Sequence, residues 1–92
     1  MKAVWNDTVI AESDDTIVVE GNHYFPPEAV NQDLMTASGH TSNCPWKGKA
    51  DYLSIDAGGQ VNENAAWFYA DPLEKAVELK NYVAFWNGVE VS

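Results

Sequence analysis

Arginine is absent from this 92-residue chain, and only five lysines oppose fourteen carboxylates, for a formal net charge of −9. A nucleic-acid binder needs a basic stripe whose side chains release condensed counterions, so that class is excluded. Phosphate recognition by a bidentate guanidinium is excluded with it. The same acidity disfavours anionic membrane surfaces. Cysteine occurs once, at Cys44, so no internal disulfide can form. No apolar run approaches the length of a spanning helix, and no signal-peptide pattern opens the chain. A reduced, cytoplasmic setting follows as the expectation, with neither nucleic acid nor membrane as partner. Zinc prefers four ligands in paired spacing. His40, Cys44 and a carboxylate are the most this chain can bring together, so no metal and no other cofactor is expected.

Rings are plentiful: four tryptophans, four tyrosines and three phenylalanines. They supply a small core with much buried area per residue. The length suits one domain, residues 1–92. A domain of that size buries roughly 60–70% of its unfolded surface.

The chain reads as many short strands. Ala3-Val4-Trp5 and Thr8-Val9-Ile10-Ala11 flank a hairpin turn at Asn6-Asp7. Thr16 to Glu20 is rich in β-branched residues, Gly21-Asn22 turns, and His23-Tyr24-Phe25 is a short strand stopped by Pro26-Pro27. Glu28 to Val30 suits one helical turn, followed by a short segment around Leu34-Met35. Tyr52 to Ile55 is a strand, Gly58-Gly59 a turn, and a further strand runs from Val61 through Tyr69. One α-helix is predicted, about Pro72–Lys80. Asp71 is its N-cap, Pro72 takes the first position, and Glu74 stands where a reciprocal cap would. Val83 to Trp86 and Val89 to Val91 are predicted to close as a hairpin over Asn87-Gly88. Strands that do not alternate with helices give a mainly antiparallel β fold.

Between those elements lies His40-Thr41-Ser42-Asn43-Cys44-Pro45-Trp46-Lys47-Gly48-Lys49-Ala50-Asp51-Tyr52. A connecting loop needs none of its thiol, imidazole, indole or paired lysines. Cys44 is either a thiolate activated by His40 or a small buried apolar group. Lys47 beside Gly48 either holds an anionic group or solvates a loop. Trp67 and Tyr69 share one face of a strand and Phe68 takes the other. With Tyr24 and Trp46 they could wall a pocket for a cation or a flat ring, or simply pack in the core.

Tyr24-Phe25-Pro26, His40 through Ser42, Cys44-Pro45-Trp46-Lys47-Gly48, Ala50, Tyr52, Ala65-Ala66-Trp67-Phe68-Tyr69, Pro72 and Tyr82-Val83-Ala84-Phe85 occur in a characteristic order. In this the chain resembles domain-of-unknown-function family 427 over almost its whole length. The family often has threonine two residues before the cysteine; Ser42 keeps the hydroxyl. The resemblance implies a small antiparallel two-sheet β-tent of the Mss4-like kind. Some relatives of that fold carry paired Cys-x-x-Cys zinc knuckles, which are missing here. Others bind small ligands in an aromatic-walled pocket. The family is sometimes labelled nucleotidyltransferase-like, yet this chain offers no convergent acidic pair and no arginine for that chemistry.

The leading expectation is a small-molecule-binding domain whose unknown ligand meets Tyr24, His40, Ser42, Lys47, Trp67 and Tyr69. A thiol- or imidazole-dependent enzyme using Cys44 and His40 as catalytic residues is the alternative. A protein-interaction module with an exposed aromatic patch is the third reading.

Overall fold

The structure is a computed structural model that describes all 92 residues. It is mainly β and holds three antiparallel sheets where two were expected. The strands are β1 (Lys2–Trp5), β2 (Thr8–Glu12), β3 (Ile17–Val19), β4 (Asn22–Tyr24), β5 (Met35–Cys44), β6 (Gly48–Ala57), β7 (Gln60–Phe68), β8 (Val83–Phe85) and β9 (Glu90–Val91). Their orders are β2-β1-β9, β3-β4 and β5-β6-β7-β8. No helix is long and apolar enough to cross a membrane.

Turn chemistry sets the hairpins. Asn6 and Asp7 have φ of 51° and 59°, the double left-handed geometry that matches the twist of flanking strands. The β3–β4 turn uses Glu20 and Gly21 (φ 54° and 79°), one residue earlier than the sequence suggested. Glu20 therefore leaves the strand and projects from a turn.

The crowded segment from His40 onward is not an irregular loop. Most of it belongs to β5 and β6, two ten-residue strands joined by Pro45-Trp46-Lys47. Thr41 pairs with Asp51, and Cys44 with Gly48. Alternation on these strands sends Leu53 and Ile55 to one face of the four-stranded sheet, with Ala66, Phe68 and Phe85 from its neighbours. That face packs against Ala3, Ile10 and Ala11 of the first sheet, and the Phe25 and Phe85 rings meet edge-on at 5.6 Å. On the opposite face, Tyr24, Ala50, Tyr69, Leu79 and Ala84 form a second, smaller core.

Two expectations are corrected. No α-helix forms over Pro72–Lys80; the segment contains a 3-10 helix, Glu74–Leu79, broken at Ala76 and without a side-chain cap. Both of its ends are tied to the body of the fold. Leu73 N donates to Lys47 O (2.9 Å), Asn81 N donates to Tyr69 O (2.9 Å), and Tyr69 bridges Lys80. A straight nine-residue α-helix would carry the chain about 13 Å forward and could not return it to Tyr69. Tertiary closure outweighs good capping residues because a short helix is marginal by itself. The second correction is the final hairpin. Asn87 and Gly88 do turn (φ 56° and 93°), but β9 pairs with β1 and not with β8. The free edge of β8 is already occupied, since Phe25 and Val83 exchange both backbone hydrogen bonds at 2.8 and 2.9 Å.

Candidate functional site

The face of the four-stranded sheet that carries Tyr52 is shaped by two bulges. On β5, Ala37 faces Leu53 and Thr41 faces Asp51, so Ser38, Gly39 and His40 together oppose Tyr52. On β7, Ala66 faces Leu53 and Asn62 faces Ile55, so Glu63, Asn64 and Ala65 together oppose Ser54. Each neighbour of β6 thus gains two extra residues, at nearly the same level. Both bulges require left-handed backbone, at Gly39 (φ 83°) and at Asn64 (φ 56°). Serine hydroxyls pin them. Ser38 Oγ donates to Tyr52 O at 3.2 Å and accepts from His40 N at 3.1 Å, while Ser54 Oγ accepts from Asn64 N at 3.3 Å. The result is an open recess of about 320 Å³ whose walls include Ser38, His40, Ser54, Glu63 and Asn64.

Rings run across the sheet beside this recess. His40 meets Tyr52 edge-on (4.7 Å between centroids), Tyr52 tilts against Trp67 (6.3 Å), and Trp67 meets Trp86 edge-on (6.4 Å). Cross-strand packing of large rings stabilises such a row. Ser42 Oγ and the Tyr52 hydroxyl share a hydrogen bond at 3.1 Å. Trp86 is 52% exposed, yet its Nε1–H donates to Asn64 O at 2.6 Å and so holds the indole at the rim. Beneath Trp67, Tyr24 accepts from its Nε1–H at 3.3 Å and packs edge-on against the indole.

Lys47 occupies another part of the same side of the sheet. Its ammonium forms an ion pair with Glu20 and lies 5.4 Å from the Trp46 ring centroid and 5.7 Å from that of Tyr69. Only 6% of the residue is exposed. Burial works to lower its pKa, but the hydrogen bond to Glu20, aided by the phenols of Tyr24 and Tyr69, outweighs that and holds it above the ordinary lysine range. Burial also pushes the Tyr69 phenol up, to about 12, with Tyr24 and Cys44 adding to the rise and Lys47 opposing it.

A phenol whose pKa is raised in the folded state contributes stability in full below the unfolded value of about 10. That contribution is lost as pH climbs through the folded value of about 12. Lys47, also raised, acts in the same direction. Stability should therefore fall between about pH 10 and 12. Absorbance at 295 nm should show a late ionisation step that disappears in Tyr69→Phe; its persistence in that variant would assign the step to another phenol.

The order of these residues along the chain agrees with one family. The family described as a domain of unknown function (DUF427) matches over residues 1–92. This chain belongs to the DUF427 family. No curated protein matches it.

Within the DUF427 chain, the residues singled out from sequence fall into four groups. His40 lines the recess, and Ser42 and Trp67 belong to the ring row beside it. Tyr24 and Tyr69 are buried, at 0% and 4% exposure, and serve the smaller core. Lys47 is committed to Glu20. Cys44 is a free, partly buried thiol on the side of Tyr69. Four residues along an extended strand put its Cα about 13 Å from that of His40, too far for the two side chains to share a proton. No group of three His, Cys, Asp or Glu converges in a way that could hold a metal ion.

Ser38, Tyr52, Ser54, Glu63, Asn64 and Trp86 were not among the candidate site residues read from the sequence. Two signals pointed to them. A glycine inside a polar strand, as at Gly39, marks a bulge. The run Gln60-Val61-Asn62-Glu63-Asn64, polar but for Val61, ahead of Ala65-Ala66 is the other. A second hollow of about 280 Å³ touches Leu53, Phe68 and Val83, but its lining has no titratable side chain to give it chemistry.

Proposed function

We propose that this DUF427 domain binds a small organic molecule in the recess between the two bulges, with the ring row as its flat wall. The observation that carries the reading is the convergence of both bulges on one spot. Two separate interruptions of the ladder deliver an imidazole, two hydroxyls, an amide and a carboxylate beside three indole and phenol rings. Bulges cost regular hydrogen bonding and re-aim side chains next to binding sites. The recess lining is mostly polar, with Val61 its one apolar side chain, so the apolar surface that a ligand site needs would come from the ring row beside it. Lys47 supports the neighbouring turn in this reading and does not contact the ligand.

Thermal shift against a metabolite panel tests it. A ligand at a hundred times its dissociation constant adds about 2.7 kcal/mol, which raises Tm by roughly 10–20 °C for a domain of this size. His40→Ala should leave the unliganded Tm almost unchanged, because His40 is exposed, and should diminish the ligand-induced shift. A panel that moves nothing counts against a binding role. An undiminished shift in His40→Ala moves the site away from the recess.

A further inference from the structure

Resting on that reading, we infer that the recess selects a small organic cation, an alkylammonium group seated against the Trp86–Trp67–Tyr52 row and facing Glu63. Charge is the first ground. Glu63 is exposed, forms no ion pair and lines the recess. No lysine lines the recess with it. Lys2, Lys47 and Lys49 face Glu12, Glu20 and Asp51, and Lys75 and Lys80 lie in or next to the 3-10 segment Glu74–Leu79. An anionic ligand would meet a carboxylate with only His40 to offset it.

Hydrogen-bonding capacity is the second ground. Asn64 Oδ1 is buried without any donor partner, the sole side-chain atom of the protein in that condition. Such an acceptor is costly to leave unmade. It stands at the recess wall on a residue held at φ 56°, and backbone strain of this sort clusters at binding sites. A small rotation of the amide would present it to an N–H of a bound alkylammonium group. Glu63 and the Ser54 hydroxyl are further acceptors there.

The rings are the third ground. A cation over an indole face gains most among the aromatic residues, and quaternary ammonium groups are a common partner of such surfaces. Trp86 is half exposed and fixed at the rim by its bond to Asn64 O, so its orientation is set before any ligand arrives. A volume of about 320 Å³ stands near the lower end for ligand pockets, which fits a compact head group. The net charge of −9 raises the local concentration of cations around the whole molecule.

The test is a two-dimensional ¹H–¹⁵N titration at constant ionic strength with three compounds that share a tert-butyl body: neopentylammonium, neopentyl alcohol and pivalate. Neopentylammonium should shift the Asn64 side-chain amide and the Trp86 indole N–H and bind about tenfold more tightly than the alcohol. Pivalate should not bind. Glu63→Gln should weaken neopentylammonium by about fivefold and leave the alcohol unchanged. Should the alcohol bind as well as the cation at those same signals, the cation assignment falls while the small-molecule site stands. Preference for pivalate, or indifference to Glu63→Gln, also overturns the assignment. Shifts by none of the three anywhere on this face overturn the assignment and the site together.

Discussion

Replacing Tyr24 by alanine should cost the fold about 3–5 kcal/mol, the range for deleting a fully buried aromatic ring. The total stability of a domain this size is about 5–14 kcal/mol, so the variant should lose between about a fifth and all of it. Tyr24 has no exposed surface and belongs to the smaller core with Ala50, Tyr69, Leu79 and Ala84. Its ring centroid lies 6.2 Å from that of Trp67 and 6.4 Å from that of Tyr69, and its hydroxyl receives the Trp67 indole N–H. Removing the ring leaves a cavity under the ring row and an indole donor without a partner. Tyr24→Phe keeps the ring and loses only the acceptor, for about 1 kcal/mol. Urea denaturation of the two variants gives the comparison. Equal and small losses would mean that Tyr24 is not the keystone described here. A ligand role for Tyr24, expected from sequence, would instead leave stability intact in both.

Lys47→Ala should cost about 3 kcal/mol, whereas Lys47→Met should be close to neutral. The difference separates the stem of the side chain from its charge. The stem contributes about 0.8 kcal/mol per buried methylene, and alanine removes nearly all of it from a residue that is only 6% exposed. Methionine restores most of that volume without bringing a charge out of water. A buried ion pair replaced by apolar groups of like size is often neutral or better. Glu20 is half exposed, so it rehydrates when its partner disappears and adds little penalty. Glu20→Ala differs in kind, because it leaves the Lys47 ammonium buried and unpaired, and should cost about 2 kcal/mol. Denaturation midpoints at pH 7 for the three variants check the order Lys47→Ala, Glu20→Ala, Lys47→Met, from most to least damaging. If methionine proves as harmful as alanine, the charge and not the stem holds the turn.

Local chemistry made much of the strand pattern legible. Asn6-Asp7 and Gly58-Gly59 turn where their residue types require, because few residues besides glycine and asparagine tolerate positive φ. The alternation of Leu53, Ser54 and Ile55 announced a strand with one apolar face. The segment after Asp71 was misleading for the opposite reason. Its caps are good, but a helix is decided by where its ends must go, and Tyr69 and Lys80 are bridged. The Asn87-Gly88 turn was legible too, whereas the partner of β9 was not, because Phe25 comes from a distant part of the sequence to occupy the edge of β8.

The candidate site divides along the same line. His40, Ser42 and Trp67 stood out by type, and they lie in or beside the recess. Tyr24, Tyr69 and Lys47 stood out equally and are consumed by packing and by Glu20, a partner 27 residues away in sequence. Nothing in one segment reveals whether a ring or a charge will be covered by another.

Composition and residue order by themselves determined the acidic, arginine-free character of this protein, the mainly antiparallel β fold and membership of its family. They did so because charge is additive and strand and turn preferences act over a few residues. Only the tertiary structure decided which functional groups face solvent together, since the recess exists through the alignment of two bulges on strands that meet only after folding. Ser38 and His40 come from one side of β6, Glu63 and Asn64 from the other, and their meeting depends on a register that no single stretch encodes.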